Sequence, residues 1–300
     1  MGTTRVTELL RQFELERLEV NLFRGESRDI GSPQVFGGQV LGQALMAAYS
    51  TVEPELRVHS LHAYFLRRGD FNYPIVYQVD RSRDGHSFSS RRVVAIQNGA
   101  PIFTFSSSYQ RPEPGLDHQS TMPQVPPPET LPDWSRPSAE IAERLPEKLR
   151  RFLIRERPVE MRPVEPIDFL NPKPGPPVQN VWFRSIGPLP DNPRLHECLL
   201  AYLSDLNLLN VATRPHASSY YSDDMVMASI DHAMWIHRAV KADEWMLYAL
   251  DSPSASGARG FSRGSIYSRE GVLLASTAQE GLIRLINRDR AKPSKKPGIT

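Results

Sequence analysis

Apolar residues near the middle of the chain recur with the period of a helix. A stripe with the spacing i, i+4, i+7 and i+11 is formed by Leu195, Leu199, Tyr202 and Leu206, which is typical of a helix with one buried face. Asp191 or Asn192 can cap its start, and Pro193 suits the first turn, where a missing amide hydrogen loses no hydrogen bond. The pattern predicts a helix over residues 193–209.

The second half of the chain repeats the plan of the first. Tyr248 follows Tyr77 by 171 positions, and Asp251 follows Asp80 by the same number. A period of this size indicates a duplicated domain rather than a solenoid. The first copy is predicted to hold a helix over 38–48 and strands over 60–66, 75–79, 87–96 and 102–109. After its helix, the second copy is predicted to hold strands over 228–237, 245–250, 260–267 and 272–279.

Proline marks the join between the two copies, because 19 of the 27 prolines fall between Pro112 and Pro193. Proline fixes φ and removes a backbone donor, so we expect an irregular linker over 111–137. A helical pattern follows at 138–155. Alternating apolar residues then predict strands over 159–164 and 178–186, with a first-copy counterpart over 18–24. The predicted domains are 1–111, a proline-rich linker with a short helix at 112–155, a second domain at 156–286 and a basic flexible tail at 287–300.

Composition sets broad limits on the class of protein. The chain has 300 residues, of which 40% are hydrophobic and 23% charged, and this length suits two domains of ordinary size. No apolar run of 18 residues occurs and the amino terminus lacks a signal-like pattern, so neither a membrane span nor secretion is expected. The single cysteine, Cys198, excludes an internal disulfide framework and favours the cytoplasm.

Charge is concentrated in the last 14 residues. They carry five cations and one anion, a net charge of +5 − 1 = +4, whereas the whole chain has +2, so the rest carries about −2. A basic tail could contact nucleic acid, but Pro293 and Pro297 favour a solvated end instead. We therefore expect no nucleic-acid partner.

Asp205 is the first candidate for chemistry. It lies three residues after Tyr202 and seven after Cys198, so helical spacing turns its carboxylate toward the packed side. A desolvated carboxylate requires hydrogen-bond donors. The alternative is an aspartate at the edge of the stripe that reaches water or caps a loop.

Two later strands supply possible partners for this carboxylate. Regular alternation along 227–237 places Ser229 and Asp231 on one face and His232 on the other. Asp231 and His232 therefore diverge, which argues against an Asp-His dyad. Gln279 ends the last predicted strand and could equally be an ordinary polar residue at a strand end.

Other candidates favour structural roles. Cys198 and His196 are two residues apart on a helix and face different directions, so Cys198 is expected in the core. The eight histidines show no metal-binding spacing, and no metal is expected. The glycines Gly37, Gly38 and Gly42 match no nucleotide fingerprint. They suit close packing at a helix start, where their amides could approach an anionic or carbonyl group.

Five stretches resemble the acyl-CoA thioesterase II family. They are 35–44 (VFGGQVLGQA), 201–207 (AYLSDLN), 229–238 (SIDHAMWIHR), 254–261 (SASGARGF) and 275–281 (ASTAQEG). The likeness runs from about residue 9 to residue 284. It implies an α+β double hotdog fold, in which two tandem domains each wrap a curved antiparallel sheet around a long helix.

The resemblance also implies a site and a reaction. The family's Asp, its Ser or Thr, and its Gln map onto Asp205, Ser229 and Gln279, which would hold and activate a water that attacks a thioester carbonyl. The expected reaction is hydrolysis of medium-chain to long-chain fatty acyl-CoA to free fatty acid and CoA, without a cofactor. The first-copy windows 42–48 and 106–108 contain no carboxylate, which indicates one active centre per chain.

Several alternatives stay open at this point. A hotdog-fold enoyl-CoA hydratase would bind the same substrates, and a catalytically silent protein would only bind acyl-CoA. Arg259 and Arg263 could meet the phosphates of CoA or belong to a solvated strand, and no CoA-binding residue is assigned. A homodimer or homotetramer is expected from the resemblance.

Overall fold

The computed structural model describes residues 2–32, 34–133, 143, 145, 150, 159–165, 168, 172–218 and 224–286, with side chains from residue 6 onward. The first copy contains α1 (Gly2–Arg11), β1 (Glu16–Glu19), β2 (Leu22–Gly25), α2 (Gly37–Tyr49), β3 (Arg57–Phe65), β4 (Ile75–Asp84), β5 (Phe88–Gln97) and β6 (Ala100–Gln110). The second contains β7 (Val159–Pro163), β8 (Val178–Ser185), α3 (Pro193–Ser204), β9 (Met225–Ser229), β10 (Asp231–Ile236), β11 (Met246–Ser256), β12 (Arg259–Ser268) and β13 (Leu273–Leu285). Short 3₁₀ helices lie at Pro128–Thr130 and Leu209–His216.

The strands form one antiparallel sheet with two mirrored halves. Its order is β1-β2-β4-β5-β6-β3 followed by β10-β13-β12-β11-β8-β7, and β9 also pairs with β13. The halves join where β3 pairs with β10, with His62 opposite Ala233 and Ala63 opposite His232. A shift of 170 residues exchanges these two pairs, so a pseudo-two-fold axis passes between them. The α+β double hotdog prediction is confirmed.

The two long helices pack directly against each other. Gly38 faces the carbonyl of Tyr202, and Gly42 faces that of Cys198, which shows that α2 and α3 run antiparallel. A Cβ at Gly42 would lie 2.6 Å from a ring carbon of Phe13 and 2.9 Å from Cys198 O. The glycines therefore allow close approach, as the sequence predicted, and Cys198 is fully buried in the apolar core that both copies share.

Several predicted elements end differently in the structure. The strand predicted to end at Gln279 continues to Leu285, so Gln279 lies inside β13 rather than at its end. The helix predicted to reach residue 209 ends at Ser204, with Asp205 as its C-cap, while Asn192 caps its start as expected. The apolar stripe had suggested a longer helix because Leu206 and Leu209 stay buried beyond the helix end. The strand predicted over 18–24 is instead a hairpin of β1 and β2, with a turn at residues 20–21. Leu18, which the alternation placed on a buried face, is 42% exposed.

The proline-rich linker is irregular but ordered over its described part. Trp182 Nε1 donates to Pro126 O at 2.9 Å, and Met122 and Val125 pack against the cluster that contains Trp182 and Trp245. The segment therefore covers the outer face of the second-copy sheet. Most of the helix predicted over 138–155, and the whole tail over 287–300, lie outside the described residues. None of the helices that are described has the length and apolar character needed to cross a bilayer.

We expect Gly42→Val to destabilise the fold, since the new side chain meets a backbone carbonyl that cannot rotate away. Overpacking of this kind lowers the free energy of unfolding by about 1–3 kcal/mol, measurable by urea denaturation. Gly115→Val is the matched control, because a Cβ there has no heavy atom within 4 Å. Equal stability of the two variants would contradict close packing of the helices.

Candidate active site

Asp205 lies where the end of α3 meets the start of α2. Its side chain is 5% exposed. The backbone amide of Gly38, in the first turn of α2, donates to the carboxylate, and a Cβ at Gly37 would lie 2.7 Å from Asp205 Oδ2. The amino-terminal end of a helix carries partial positive charge and free amide hydrogens. Both copies of the repeat therefore build this site.

The structure brings the three predicted site residues together. Gln279 Nε2 donates to Asp205 Oδ1 at 2.8 Å, and the Ser229 hydroxyl also donates to the carboxylate. Ser229 ends β9 opposite Gly281 on β13, two residues beyond Gln279. The residues are 24 and 50 positions apart along the chain, so the pairing of β9 with β13 and the position of the end of α3 bring them together. Their catalytic roles stay a prediction.

Burial raises the pKa of the Asp205 carboxyl above its usual range, and hydrogen bonds from Gln279, Gly38 and Ser229 oppose that rise without cancelling it. Desolvation disfavours the charged form of a carboxyl, whereas donors favour it. A carboxylate with a raised pKa is a stronger base than one in water. The site therefore provides a buried proton acceptor.

His232 was predicted to face away from Ser229, and the structure shows that this prediction was wrong. Ser229 pairs with Gly281, whereas Ala233 pairs with Ala278, so the strand between them holds one residue more than its partner. Such a bulge reverses the alternation of side chains. Ser229 and His232 consequently both face the site.

His232 is almost fully buried beside Gln279. Its Nδ1 lies 3.4 Å from Gln279 Nε2 and 4.0 Å from Asp205 Oδ1. Burial lowers the pKa of His232 to about 3, so the ring is neutral at physiological pH. One signal in the sequence could have indicated the bulge. Met225 and Met227, which are buried, have odd numbers, whereas the next buried methionine, Met234, has an even number, so the inward-facing positions change between them.

Asp231 and the two arginines near it have structural partners. Asp231 Oδ1 accepts from the Glu280 amide at 2.7 Å, away from His232, which agrees with the expectation that the two do not form a dyad. Arg259 pairs with Glu280 at 2.9 Å, and Arg263 pairs with Asp251 at 2.6 Å, all at exposed positions. These arginines therefore support the solvated-strand alternative.

The matching position in the first copy holds different chemistry. Ser50 caps α2 as Asp205 caps α3, two residues beyond the window considered in the sequence. The cross-strand pair Ser262–Gln279 corresponds to Arg91–Ser107. Arg91 is 1% exposed and donates to Thr51 Oγ1 at 2.7 Å. A serine, Ser107, thus takes the place of Gln279, and the buried guanidinium of Arg91 lies at Thr51, just beyond the end of α2.

A small apolar gap in the packing lies beside the site in the second copy. It is lined by Met161, Val181, Phe183, Leu206, Tyr248 and Leu250 and has no room for a water molecule. Leu206 and Asn207, which also line it, directly follow Asp205. Within the described part of the chain, no three His, Cys, Asp or Glu side chains cluster closely enough to hold a metal ion.

Comparison with known proteins defines the class of this chain. Residues 24–110 match the family model of the acyl-CoA thioesterase N-terminal domain, and residues 150–282 match that of acyl-CoA thioesterase. Acyl-CoA thioesterase 2 of Haemophilus influenzae is 41% identical over 93% of this chain and 98% of its own length. Human acyl-coenzyme A thioesterase 8 is 40% identical over 95% of this chain and 91% of its own.

A solved structure gives the same result. The crystal structure of an acyl-CoA thioesterase II, TesB2, from Mycobacterium marinum has 44% sequence identity and a TM-score of 0.75, and the match covers 92% of this chain and 97% of that one. The fold is that of a hotdog thioester hydrolase. The chain belongs to the acyl-CoA thioesterase family, as the sequence motifs indicated.

We expect Asp205→Asn to gain stability relative to the wild type as pH rises. The raised pKa of Asp205 means that the stabilising contribution of the protonated carboxyl is present at low pH and is lost as pH increases through the folded-state pKa. Asparagine does not titrate. Urea denaturation between about pH 4 and about pH 7 should show the difference in unfolding free energy shifting in favour of the variant, whereas Asp80→Asn controls for loss of one exposed carboxylate. A shift in the opposite direction would contradict the assigned burial effect.

Proposed function

We propose that this acyl-CoA hydrolase cleaves medium-chain to long-chain fatty acyl-CoA by direct attack of a water molecule. In this proposal Asp205 is the general base, and Ser229 and Gln279 orient the water. The observation that carries the proposal is a buried carboxylate, held by three donors, beside an amide oxygen with no partner among the residues that the structure describes.

The position of the water follows from Gln279. Its Oε1 is fully buried and accepts no hydrogen bond from any residue that the structure describes. Buried polar atoms in proteins nearly always have a partner. The same amide reaches Asp205 through Nε2, so one water can donate to both Oε1 and the carboxylate. A buried water with two to four polar partners is an ordinary structural feature.

The chemistry of the step is balanced without a cofactor. Asp205 takes a proton from the water while the oxygen of the water forms a bond to the thioester carbonyl carbon. The tetrahedral intermediate then loses CoA as a thiolate, and the proton held by Asp205 can pass to the sulfur. General base catalysis typically contributes about 10²–10⁴-fold, and fixed orientation of the water adds to it.

The acyl-CoA thioesterase relatives support an acyl-CoA substrate, and we propose that the apolar side chains next to Asp205 move apart to admit its acyl chain. Burial of each further CH₂ of the acyl chain is worth about 0.8 kcal/mol, so kcat/KM should increase from butyryl-CoA to longer substrates. A kcat/KM that stays constant or falls with acyl chain length would contradict a substrate of medium to long chain.

We also propose a cytoplasmic homodimer or homotetramer. The single cysteine, Cys198, is free and buried, which suits a reducing compartment. Exposed Tyr64 and Trp235, at 56% and 37%, lie on paired strands where the two halves of the sheet join and could support assembly. Light scattering that gives the mass of one chain would refute the oligomer.

We expect Asp205→Asn to lower kcat with palmitoyl-CoA by about 10²–10⁴-fold, because it removes the proton acceptor. Release of CoA is followed with a thiol reagent, and the acyl product is identified by mass spectrometry. Asp80→Asn should retain full activity. Formation of a hydrated acyl-CoA would instead support a hydratase, and saturable binding without turnover of the wild type would support a silent binding protein.

A single-turnover experiment in H₂¹⁸O tests direct attack. With enzyme in excess over palmitoyl-CoA, direct attack places ¹⁸O in the fatty acid during the first turnover. An anhydride formed on Asp205 and opened by water at the enzyme carboxyl would leave ¹⁶O in the first product. Rapid quenching and mass spectrometry of the protein should show no acyl group on Ser229, and a trapped acyl ester there would overturn the mechanism.

A further inference from the structure

His232 contacts Gln279 on one side and Ser204 of α3 on the other, and so links the proposed catalytic residues to the backbone of α3. The side chain is almost completely buried. Its Nε2 lies 3.0 Å from Ser204 Oγ, and Ser204 Oγ also donates to Ala201 O at 3.0 Å. On the other side of the ring, Nδ1 lies 3.4 Å from Gln279 Nε2. A continuous chain of hydrogen bonds therefore runs from the helix backbone to Gln279.

The direction of these hydrogen bonds follows from their first member. A backbone carbonyl can only accept, so the single hydrogen of Ser204 points to Ala201 O. Ser204 Oγ can then only accept from His232, which places the ring hydrogen on Nε2. Because burial lowers the pKa of His232 to about 3, Nδ1 carries a lone pair and accepts from Gln279.

Gln279 thereby meets two acceptors through one nitrogen. Its Nε2 donates to Asp205 Oδ1 at 2.8 Å and reaches His232 Nδ1 at 3.4 Å, which uses both amide hydrogens. Rotation of the amide by half a turn would place Oε1 against a carboxylate and a lone pair. Both neighbours therefore oppose the flipped orientation.

We infer that His232 is a positioning residue: in its neutral, Nε2-protonated form it holds Gln279 so that the amide oxygen faces the nucleophilic water. This inference rests on the proposed function. It also fixes the direction of the hydrogen bond between Gln279 and the water: the amide oxygen accepts it, and no amide hydrogen is left to donate to the substrate carbonyl.

Two substitutions at His232 separate positioning from packing. Asparagine keeps an acceptor close to the place of Nδ1, whereas phenylalanine has a similar ring and no acceptor. We expect His232→Phe to lower kcat by about 10–100-fold, the scale for a misplaced reacting group, with little change in KM. His232→Asn should recover a large part of that loss even if its thermal stability is lower than that of the phenylalanine variant.

The internal repeat provides a matched control. His62 corresponds to His232 but is exposed and packs edge-on against Trp235, with ring centroids 5.2 Å apart. His62→Phe and His62→Asn should leave kcat unchanged. If His232→Phe keeps kcat within about twofold of the wild type, below the effect of any misplaced group, or if asparagine restores no more than phenylalanine, the inference is overturned.

The tautomer can be measured without turnover. Long-range ¹H–¹⁵N NMR of the full chain labelled with [¹⁵N]histidine should show one neutral ring, absent from the His232 variants, that carries its hydrogen on Nε2. A ring protonated on Nδ1 overturns the inference even if Asp205→Asn is inactive. Conversely, full activity of Asp205→Asn removes the proposed function while the observed tautomer still reports on His232, so the two failures are distinguishable.

Discussion

The site depends on one buried carboxylate placed between the ends of two helices. Asp205 is the C-cap of α3, and the first turn of α2 donates a backbone amide to its carboxylate. Helix starts favour negative charge, whereas helix ends do not. The carboxylate is therefore stabilised by the helix of the other copy rather than by its own. The antiparallel packing of α2 and α3 is a requirement of this arrangement, and the glycines at their contact permit it.

The duplicated fold contains two such helix junctions, and the proposed hydrolytic site occupies one of them. At the other junction Arg194, in the first turn of α3, donates to the carbonyls of Tyr49 and Val52 at the end of α2. The guanidinium of Arg91 is buried nearby. Cations at a helix end stabilise it by ordinary dipole and capping interactions. This junction therefore serves stability, whereas the carboxylate and amide of the second junction are the proposed catalytic groups.

A second buried carboxylate shows how much the surroundings matter. Glu197 lies on α3 and hydrogen-bonds to the hydroxyl of Tyr49. Burial raises the pKa of Glu197 to about 7, although the Tyr49 hydroxyl and nearby arginines oppose the rise. No amide oxygen or serine like those of the site contacts it in the described hydrogen bonds. A carboxyl with a raised pKa is thus insufficient, and the partners of Asp205 distinguish the proposed active centre.

The sequence predicted the parts of the site that depend on local periodicity. The cap at Asn192, the inward direction of Asp205 and the strand that carries Gln279 follow from spacing within single elements. The helix end and the direction of His232 do not. Leu206 and Leu209 are buried by the segment after the helix, so their spacing conceals its end at Ser204. The bulge near Ile230 is defined by pairing with β13, and the pattern of residues within one strand carries no information about that partner.

Burial acts in opposite directions on the two ionisable groups of the site, and this difference preserves the base. It raises the pKa of Asp205 and lowers that of His232 to about 3. The two side chains are 4.0 Å apart, so a protonated ring would attract the carboxylate and lower its pKa. Asp205 would then be a weaker base, and Nδ1 would become a donor that repels the amide nitrogen of Gln279. A dry, neutral His232 therefore maintains both the basicity of Asp205 and the orientation of Gln279.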